Sequence, residues 1–434
     1  MNLRKVSTAS LAVFALALTA CAGGSATQSG AAAGDEAISG AVPGKTNIRV
    51  SLFNDFGYTE LYKEYMELHP EINIIEERAP NTVDARTKLA TNLAAGSGLA
   101  DIEAVEGDWM PEMIEYSDQW VDLTSDSTKG RWLDWKTKKA TDPNGRLLGY
   151  GTDSAPNAIC YRADLFQAAG LPSDRNEVAK LLNGDWNNYF EVGKKFKAAN
   201  KDVGWFDSSG SIFQGMISQM PNAFEKSDGT VIPLKDNAEI KKVYDSIVAN
   251  LDKSAKLQSW SEDWTASFQG DPKFATIACP SWMAGYIEEQ ATGVKGWDIA
   301  PVFPGGASNS GGSYLMVPTQ SQHQEEAKKL ADWLTAPEQQ IKAYKAKDTF
   351  PSQVEALKSP EIAGEKSEFF NNAPTGEIYS SQAQAIKVQP YTGKYYASVR
   401  DVVGEALNRV DTGAQSAEES WQQALSDFEA LEFE

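Results

Sequence analysis

Strand-like and helix-like patterns alternate through residues 48–105 of this 434-residue chain, and few protein architectures accept such an order. The five segments are a strand at 48–52, a helix at 59–68, a strand at 72–75, a helix at 81–96 and a strand at 101–105. Because a connection between parallel strands of one sheet is nearly always right-handed, this order predicts a mainly parallel sheet with helices on both faces. The predicted fold class is therefore α/β.

Two loops that follow predicted strands combine an aromatic ring with an acid or an amide. The first is Phe53-Asn54-Asp55-Phe56, and the second is Glu106-Gly107-Asp108-Trp109. Ligands of open α/β sheets bind beside the carboxyl ends of the strands. Both loops are therefore predicted to face a binding site.

The chain is too long for one ordinary domain, and its length predicts two or three. The alternation of elements continues beyond the first sheet. The later segments are a strand-loop-strand crossing at 148–161, helices at 164–169, 186–199 and 240–251, a strand at 274–279 that leads into a helix at Ser281, and short strands at 297–302 and 314–317. The sequence has no repeat of fixed period, so a solenoid is not expected.

Residues 1–20 have the pattern of an export signal. Arg4 and Lys5 form a basic start, and the apolar stretch 11–18 is too short to span a bilayer. The motif LTAC that ends at Cys21 resembles a bacterial lipobox, in which the cysteine is lipidated before cleavage. The alternative is a plain secretory signal with a chance cysteine.

The segment 21–45 is rich in Gly, Ala and Ser and cannot bury enough apolar surface to order itself. We expect a flexible tether that is anchored to the membrane by acyl chains on Cys21. The rest of the chain would then lie on the extracellular face of the cell membrane, since no other segment is long and apolar enough to cross it.

The charge balance excludes some partners. Sixty Asp and Glu against 40 Lys and Arg give a net charge of −20, which repels phosphate backbones, so no nucleic acid is expected to bind. His69 and His323 are the two histidines of the chain, so a metal centre with several histidine ligands is impossible. We expect no cofactor and no bound metal, while a structural Ca²⁺ among the acids stays open.

Cys160 and Cys279 remain after export, and both lie in apolar runs that are typical of strands. A disulfide is possible outside the cell. Because strand interiors rarely give good disulfide geometry, the expectation is two buried thiols that act as small hydrophobic residues.

Six segments resemble, in order and spacing, the family 1 extracellular solute-binding proteins of carbohydrate ABC importers. They are GYTELYKEYMELHPEINI (57–74), LADIEAVEGDWM (99–110), AICYRADLFQAAGLP (158–172), DWNNYFEVGKKFKAAN (185–200), WDIAPVFPGG (297–306), and KKLADWLTAPEQQIKAY (328–344) followed by TFPS (349–352). Together they cover nearly the whole mature chain. The lipobox fits the resemblance, since members from Gram-positive bacteria are typically lipoproteins.

The resemblance implies a periplasmic-binding-protein-like fold of two α/β lobes, with the ligand in a cleft between them. The N-terminal lobe would consist of 46–150 plus 300–350, and the C-terminal lobe of 151–299 plus 351–434. The chain would cross between the lobes in several segments that form a hinge. Glycines at 149–151 and 305–306 are plausible hinge positions, because a hinge must absorb changes in φ and ψ.

A sugar ring has an apolar C–H face that stacks on aromatic planes, and hydroxyls that bind to acids and amides. Residues of both kinds at predicted loop positions are therefore candidates for substrate binding. They are Asn54, Asp55, Phe56, Asp108, Trp109, Asp153, Phe206, Asp207, Gln214, Trp264, Trp282, Tyr314 and Phe350. Trp282 is the strongest candidate, because the helix after Cys279 would present it to the cleft and the family often has an aromatic residue there.

Structural roles stay open for several of these candidates. Asp153 would cap a turn beside the hinge, and Asp207 would form an Asx-turn with the serines after it. Tyr314 would point into a sheet core, and Phe350 would pack at the hinge. Trp264 is as well explained by packing as by binding.

The predicted function is capture of an oligosaccharide by a monomeric, non-enzymatic binding protein that delivers it to ABC permease subunits. The 12 Trp, 15 Tyr and 17 Phe favour a ligand of more than one ring. The alternative is a secreted glycoside hydrolase with paired carboxylates, for which the sequence places no acid pair. A third possibility, a polyol or glycerol phosphate ligand, is disfavoured for phosphates by the acidic loops.

Overall fold

The structure is a computed structural model that describes residues 40–433. The predicted signal peptide, most of the predicted tether and Cys21 lie outside the described residues. The strands are β1 (Thr46–Phe53), β2 (Ile72–Ala79), β3 (Ile102–Glu106), β4 (Tyr150–Gly151), β5 (Asn157–Arg162), β6 (Gly204–Phe206), β7 (Phe274–Pro280), β8 (Trp297–Ala300) and β9 (Ser313–Met316). They form one sheet in the order β2-β1-β3-β9-β4 and a second in the order β6-β7-β5-β8.

Helices surround both sheets. They are α1 (Thr59–Leu68), α2 (Thr82–Ala95), α3 (Met110–Glu115), α4 (Asp134–Lys139), α5 (Ala163–Ala168), α6 (Arg175–Leu182), α7 (Trp186–Ala199), α8 (Ser209–Ile217), α9 (Ala238–Val248), α10 (Glu262–Ala266), α11 (Ser281–Gln290), α12 (Gln324–Leu334), α13 (Pro337–Lys347), α14 (Val354–Lys358), α15 (Pro360–Ala363), α16 (Thr375–Ala385), α17 (Tyr396–Asp411) and α18 (Ala417–Glu429). None of those found within residues 40–433 is long and apolar enough to cross a bilayer.

The predicted alternation at the start of the chain is confirmed, because β1, α1, β2, α2 and β3 follow one another as expected. The ends of α2 show why the sequence was informative there. The side chain of Asn81 accepts a hydrogen bond from the Asp84 amide at 2.9 Å, which caps the first turn. Gly96 ends the helix in the left-handed conformation, at φ +65°.

The expectation of a mainly parallel sheet is wrong beyond the first three strands. Strand β1 pairs in parallel with β2 and β3, but β9 pairs antiparallel with β3 and with β4. In the second sheet β6 and β7 are parallel, whereas β5 is antiparallel to both of its neighbours. The cause is topological: β9 enters the first sheet on the chain that returns from the second sheet, so it runs in the opposite direction.

The chain passes between the sheets three times, at 152–156, 301–312 and 348–353. Backbone hydrogen bonds join these crossing segments side by side. They run from the Ser154 amide to the Phe350 carbonyl (2.7 Å) and from the Ser310 amide to the Ala155 carbonyl (2.9 Å). The predicted multi-segment hinge therefore corresponds to these three adjacent crossing segments. In the second crossing segment, the Gly305 amide bonds to the carbonyl of Gly184, which lies between α6 and α7.

The second sheet is covered on both faces, and β5 shows how. Ile159 and Tyr161 point to the core formed with α7, α8 and α17, whereas Ala158 and Cys160 point to the core formed with α11 and α16. This is the two-residue period of a strand that is buried on both sides. The first sheet has its own core around β1, β3 and β9.

The expectation of two free thiols is wrong. Cys160 on β5 and Cys279 on β7 form a disulfide, with their Cα atoms 5.4 Å apart. The two strands are antiparallel neighbours, and this pairing brings the cysteines to a normal disulfide separation on one face of the sheet.

Candidate functional site

A cavity of about 300 Å³ lies where the ends of β1 and β3 meet the crossing segments and the start of α11. Its lining comes from the first sheet, from α2, α11 and α13, and from all three crossings. The lining residues are Phe53, Asn54, Asp55, Phe56, Tyr58, Thr82, Glu106, Thr152, Asp153, Trp282, Ser310, Gly311, Gly312, Ser313, Gln340, Ala343 and Thr349. The predicted position at the carboxyl ends of the strands thus coincides with a real cavity.

The loop after β1 forms one wall. Asp55 accepts a hydrogen bond from the Gly57 amide at 2.9 Å and lies 3.2 Å from an Arg78 nitrogen and 3.3 Å from Lys347 Nζ. Burial acts to raise the pKa of Asp55, but the Gly57 hydrogen bond and the charges of Arg78 and Lys347 lower it below its usual value. A Cβ at Gly57 would lie 2.7 Å from the Ala343 carbonyl oxygen, so the loop is locked against α13.

Aromatic rings line the same wall. Phe53 and Phe56 pack edge to face with their ring centroids 5.2 Å apart, and Phe56 packs in the same way against Tyr58 at 5.7 Å. Trp109 packs against Phe53 at 5.2 Å but does not line the cavity, so it supports the wall from behind. The wall therefore combines flat apolar surface with the charged edge supplied by Asp55.

Three polar groups of the lining are open toward the cavity. The Tyr58 side chain is 3% exposed, and within residues 40–433 neither its hydroxyl nor the half-buried Glu106 carboxylate forms a hydrogen bond or ion pair. Thr349 Oγ1 is buried and likewise lacks a partner in this range. Buried polar groups normally have partners, so these three positions are suited to the hydroxyls of a ligand.

The ionisation of these groups follows from their surroundings. Burial, reinforced by the negative charge of Asp108, raises the pKa of Glu106 to about 7. Burial and the charge of Asp153 raise the pKa of Tyr58 above its ordinary value, so its hydroxyl stays protonated and can donate.

The crossing segments form the floor. Asp153 Oδ1 accepts hydrogen bonds from the Ser313 amide (2.8 Å) and from Thr152 Oγ1 (2.7 Å). Gly312 has φ +91°, and a Cβ there would lie 2.6 Å from the Asp153 carbonyl oxygen. Only glycine fits this close approach of two crossing segments.

Trp282 supplies the opposite wall from the first turn of α11, with 37% of its surface exposed. Its indole N–H donates to the Ser310 carbonyl at 3.0 Å, which fixes the ring against a crossing segment. The ring of Trp260 lies nearly parallel to it, with centroids 5.8 Å apart. Trp282, the strongest candidate from the sequence, therefore reaches the cavity.

The cavity brings together five of the predicted binding residues: Asn54, Asp55, Phe56, Asp153 and Trp282. Two further candidates are accessible but lie outside it. Asp108 pairs with Lys139 at 3.4 Å, and Gln214 is exposed on α8. Both stay predictions that the geometry of the cavity does not support.

The other predicted residues are buried in the protein core and do not reach the cavity. Besides Trp109 they are Phe206, Asp207, Trp264, Tyr314 and Phe350. Asp207 accepts a hydrogen bond from Trp264 Nε1 at 2.8 Å, so these two side chains satisfy each other. Tyr314 donates to the Lys136 carbonyl at 3.0 Å. Phe350 packs against Tyr344 and Tyr379. Tyr314 and Phe350 thus take the packing roles that the sequence left open. Asp207, in contrast, is held by side chains instead of the Asx-turn that the sequence offered, since the Ser209 amide bonds to Asp411.

Sequence reasoning did not select several lining residues as binding residues, notably Tyr58, Glu106 and Thr349, although Glu106 belongs to a loop that it predicted to face the site. Each lies within two residues of a position that the pattern did select: Phe56, Asp108 and Phe350. The pattern paired acids with adjacent aromatic residues and so passed over the neighbours. Glu106 directly follows the strand predicted at 101–105, so a search for every polar residue within two positions of a predicted strand end would have found it. Tyr58 lies six positions beyond the strand predicted at 48–52 and would not have been found.

The charges of the lining limit the ligand. Asp55, Glu106 and Asp153 are acidic, and the described residues of the lining include no Lys, Arg or His. An anionic ligand would therefore meet repulsion. Within 40–433, no group of three or more His, Cys, Asp and Glu side chains is placed to hold a metal ion.

Two α/β lobes that are joined by three crossing segments and enclose a cavity define a two-lobed binding protein. The family model described as "Bacterial extracellular solute-binding protein" matches residues 60–370, and the chain belongs to this family. No curated protein sequence matches the chain.

Solved structures agree with this assignment. The chain is similar to a structure described as "Extracellular solute-binding protein family 1", with 46% identity, a TM-score of 0.83, and coverage of 88% of this chain and 99% of that one. A binding protein from B. animalis subsp. lactis Bl-04, solved with β-1,6-galactobiose, is 20% identical (TM-score 0.65; coverage 88% and 97%). The sugar-binding protein MalE from Xanthomonas citri is 17% identical (TM-score 0.70; coverage 88% and 96%).

These findings confirm the resemblance that the sequence indicated and the predicted two-lobed fold. The family is one of extracellular substrate-binding proteins. The comparisons therefore support the predicted binding role over that of a glycoside hydrolase.

Proposed function

We propose that the chain is the substrate-binding component of a carbohydrate ABC importer. It captures an uncharged oligosaccharide in the interlobe cavity and delivers it to the permease subunits in the membrane. The observation that carries this proposal is the composition of the cavity, in which the partly exposed indole of Trp282 faces polar groups that lack partners among residues 40–433.

The lining matches the two surfaces of a sugar ring. The indole of Trp282 offers a plane for its C–H face, and the largely buried Phe53 and Phe56 add apolar edges to the cavity. The Tyr58 hydroxyl can donate to a sugar oxygen, and the Glu106 carboxylate can accept from a sugar hydroxyl. The acids of the lining favour a ligand without negative charge, so phosphorylated and uronic sugars are disfavoured.

Similar proteins that were solved with a bound ligand support a sugar as the ligand of this chain. Besides the galactobiose complex, similar structures include a maltose-bound MalE3 from T. maritima and a Listeria monocytogenes protein in complex with cycloalternan. Their diversity indicates that the fold accommodates different linkages, so the linkage preference of this chain lies in its own side chains.

The arrangement of the crossings supports a closing mechanism. Trp282 belongs to one lobe and the loop after β1 to the other, while the three crossing segments lie between them. A ligand that contacts both walls favours the conformation in which the walls are close. The closed form would then dock on the permease, with exposed acids of both lobes as contacts.

The glycoside hydrolase alternative requires two free carboxylates that flank the scissile bond. Three carboxylates line the cavity. Asp55 is held by Arg78 and Lys347, and Asp153 accepts the Ser313 amide, which leaves Glu106 as the acid with both oxygens open within the described residues. A catalytic pair is therefore not supported.

The lipobox-like motif supports an anchor at Cys21 on the outer face of a Gram-positive cell membrane. Replacement of Cys21 by Ser is expected to move the protein from the membrane fraction to the culture medium. Retention of the Cys21→Ser variant in the membrane would contradict the lipid anchor without affecting the sugar proposal.

The function is tested by a thermal-shift screen of neutral and uronic-acid oligosaccharides, followed by calorimetry on those that stabilise the protein. A ligand at about a hundredfold excess over its Kd stabilises the folded state by about 3 kcal/mol, which is readily seen as a higher Tm. We expect neutral oligosaccharides to bind and uronic-acid oligosaccharides to fail. The absence of any stabilising sugar, or release of nitrophenol from aryl glycosides, would contradict the proposal.

A further inference from the structure

A second and larger cavity, of about 710 Å³, adjoins the first. We call it the α11 groove, because Trp282 and Tyr286 of α11 form one of its walls and the end of α13 forms another. Trp282 lines both cavities. Consecutive residues of one chain segment alternate between them: Asp348 lines the groove and Thr349 the first cavity.

The wall on α11 is aromatic. Trp282 and Tyr286 are four residues apart and therefore lie on one face of the helix. Trp260 extends this surface, since it packs against Tyr286 at 5.4 Å and is 60% exposed. Trp260 also has φ +70°, a conformation that is unusual for a bulky residue.

The opposite wall is polar and carries two acids beside the amine of Lys347. Asp348 and Glu365 line it, and burial raises the pKa of both carboxyl groups above the ordinary value. The Asp348 carboxylate forms no hydrogen bond or ion pair with any described residue, and a Cβ at Gly285 would lie 2.8 Å from its Oδ2. Thr375 is 94% buried (6% exposed), lines the groove, and has a hydroxyl without a partner in the same range.

An aromatic wall opposite hydroxyl and carboxyl groups repeats the chemistry of the first cavity. We propose that the α11 groove is a continuation of the sugar site, and that the ligand is a neutral oligosaccharide of three or more rings whose chain passes Trp282 from one cavity into the other. This inference rests on the proposed function. It adds the length of the ligand and the path that it follows.

The groove can be blocked without disturbing the core. Ala346 lines it and is exposed in the last turn of α13, so the change Ala346→Trp fills the groove from a surface position. Ala94→Trp is the matched control, because Ala94 is exposed in the last turn of α2 and lines neither cavity. Tyr286→Ala is a second variant that removes part of the aromatic wall, and Tm confirms folding of all three.

Calorimetry is performed with oligosaccharide ladders of two to six rings, in α-1,4, α-1,6, β-1,4 and β-1,6 linkage. In the wild type and in Ala94→Trp, Kd should fall about tenfold from the shortest to the longest binding member of a ladder, because further rings stack in the groove. In Ala346→Trp this ratio should approach one, and in Tyr286→Ala it should fall severalfold.

Each result separates the two proposals. A wild type that binds sugars with the same affinity at every length, or a length dependence that survives Ala346→Trp, would overturn the groove and leave the proposed function intact. If the wild type bound no ladder at any length, both proposals would be overturned.

Discussion

The loops after β1 and β6 look alike in sequence and differ in the folded protein. Each places an acid beside an aromatic residue at the end of a strand: Asp55 beside Phe56, and Asp207 beside Phe206. The first loop lines the cavity. The second is wholly buried, and Asp207 accepts hydrogen bonds from Trp264 Nε1 and Ser211 Oγ.

The position of the strand accounts for the difference. Strand β1 lies inside its sheet, and its end opens between the lobes. Strand β6 is an edge strand whose end is covered, since the amides of Ala255 and Leu257 bond to the carbonyls of Phe206 and Asp207. An acid at a strand end therefore indicates a ligand site when its carboxylate is accessible in the folded protein. It indicates a structural role when the carboxylate already accepts hydrogen bonds from residues that are distant in the sequence.

The largest expected effect tests the buried loop. Asp207→Ala leaves Trp264 Nε1 without its acceptor, and we expect the free energy of unfolding to fall by about 3 kcal/mol. Sugar affinity, measured at a temperature where the variant is folded, should stay within about twofold. Urea unfolding followed by tryptophan fluorescence and calorimetry measure the two quantities.

The matched change on the open loop is Asp55→Ala. The ion pairs of Asp55 with Arg78 and Lys347 are partly exposed, so removal of its carboxylate should lower the free energy of unfolding by less than about 1 kcal/mol. The main effect of this change should be weaker sugar binding. Loss of sugar affinity in Asp207→Ala with unchanged stability would contradict this comparison. So would loss of stability in Asp55→Ala with unchanged sugar affinity.

A second prediction compares two tryptophans of one aromatic cluster. Trp282→Ala should weaken sugar binding about thirtyfold, or about 2 kcal/mol, since it removes the stacking plane of the cavity. Trp264→Phe keeps a ring in the buried neighbour but removes the N–H that Asp207 accepts. It should lower the free energy of unfolding by about 1 kcal/mol with little change in Kd. Equal losses of affinity in both variants would refute this division of roles.

The smallest predicted effect concerns Glu106 and pH. Its pKa is about 7 in the free protein, and its ionised form is the better acceptor for a sugar hydroxyl. Binding should therefore lower this pKa, and affinity should rise about tenfold as the pH increases from about 6 to about 8. In Glu106→Gln the pH dependence of Kd should be flat. A wild-type Kd that does not change with pH would contradict the role of Glu106.

The same shift has a consequence for the free protein. The folded pKa of Glu106 is raised from 4.5 to about 7, so the folded state binds more protons than the unfolded state between these values. This group therefore favours folding fully below pH 4.5, and its contribution is lost as the pH rises through about 7. The difference in urea unfolding between the wild type and Glu106→Gln should follow this sign.

Part of the site could be predicted because its markers are local. Trp282 follows a strand and begins a helix, and Asn54, Asp55 and Phe56 follow another strand, so their positions can be inferred from neighbouring residues. Phe206 and Trp264 carry equally good markers but are buried. Their burial is decided by α7, α8 and α11, which pack around them from other parts of the chain.

The elements of the fold likewise divide into those that local sequence predicts and those that depend on distant parts of the chain. The helix at Trp186–Ala199 and the capped helix after Asn81 have the bounds that their sequence patterns predict, because periodicity and caps act over a few residues. The direction of β9 could not be predicted, since it depends on a return from the second lobe. The Cys160–Cys279 disulfide spans 119 residues and follows from strand pairing that local sequence does not specify.

The sequence by itself determined the α/β elements, the excess of acidic residues and the family to which the chain is similar, and it predicts an export signal. The tertiary structure decided which polar groups are open to a ligand. The reason is that hydrogen-bond partners come from distant positions: Trp264 satisfies Asp207 across 57 residues, and Ser313 binds Asp153 across 160. Tyr58 and Glu106 meet no such partner among the described residues, and this openness arises only when the lobes, the crossing segments and α11 assemble around one cavity.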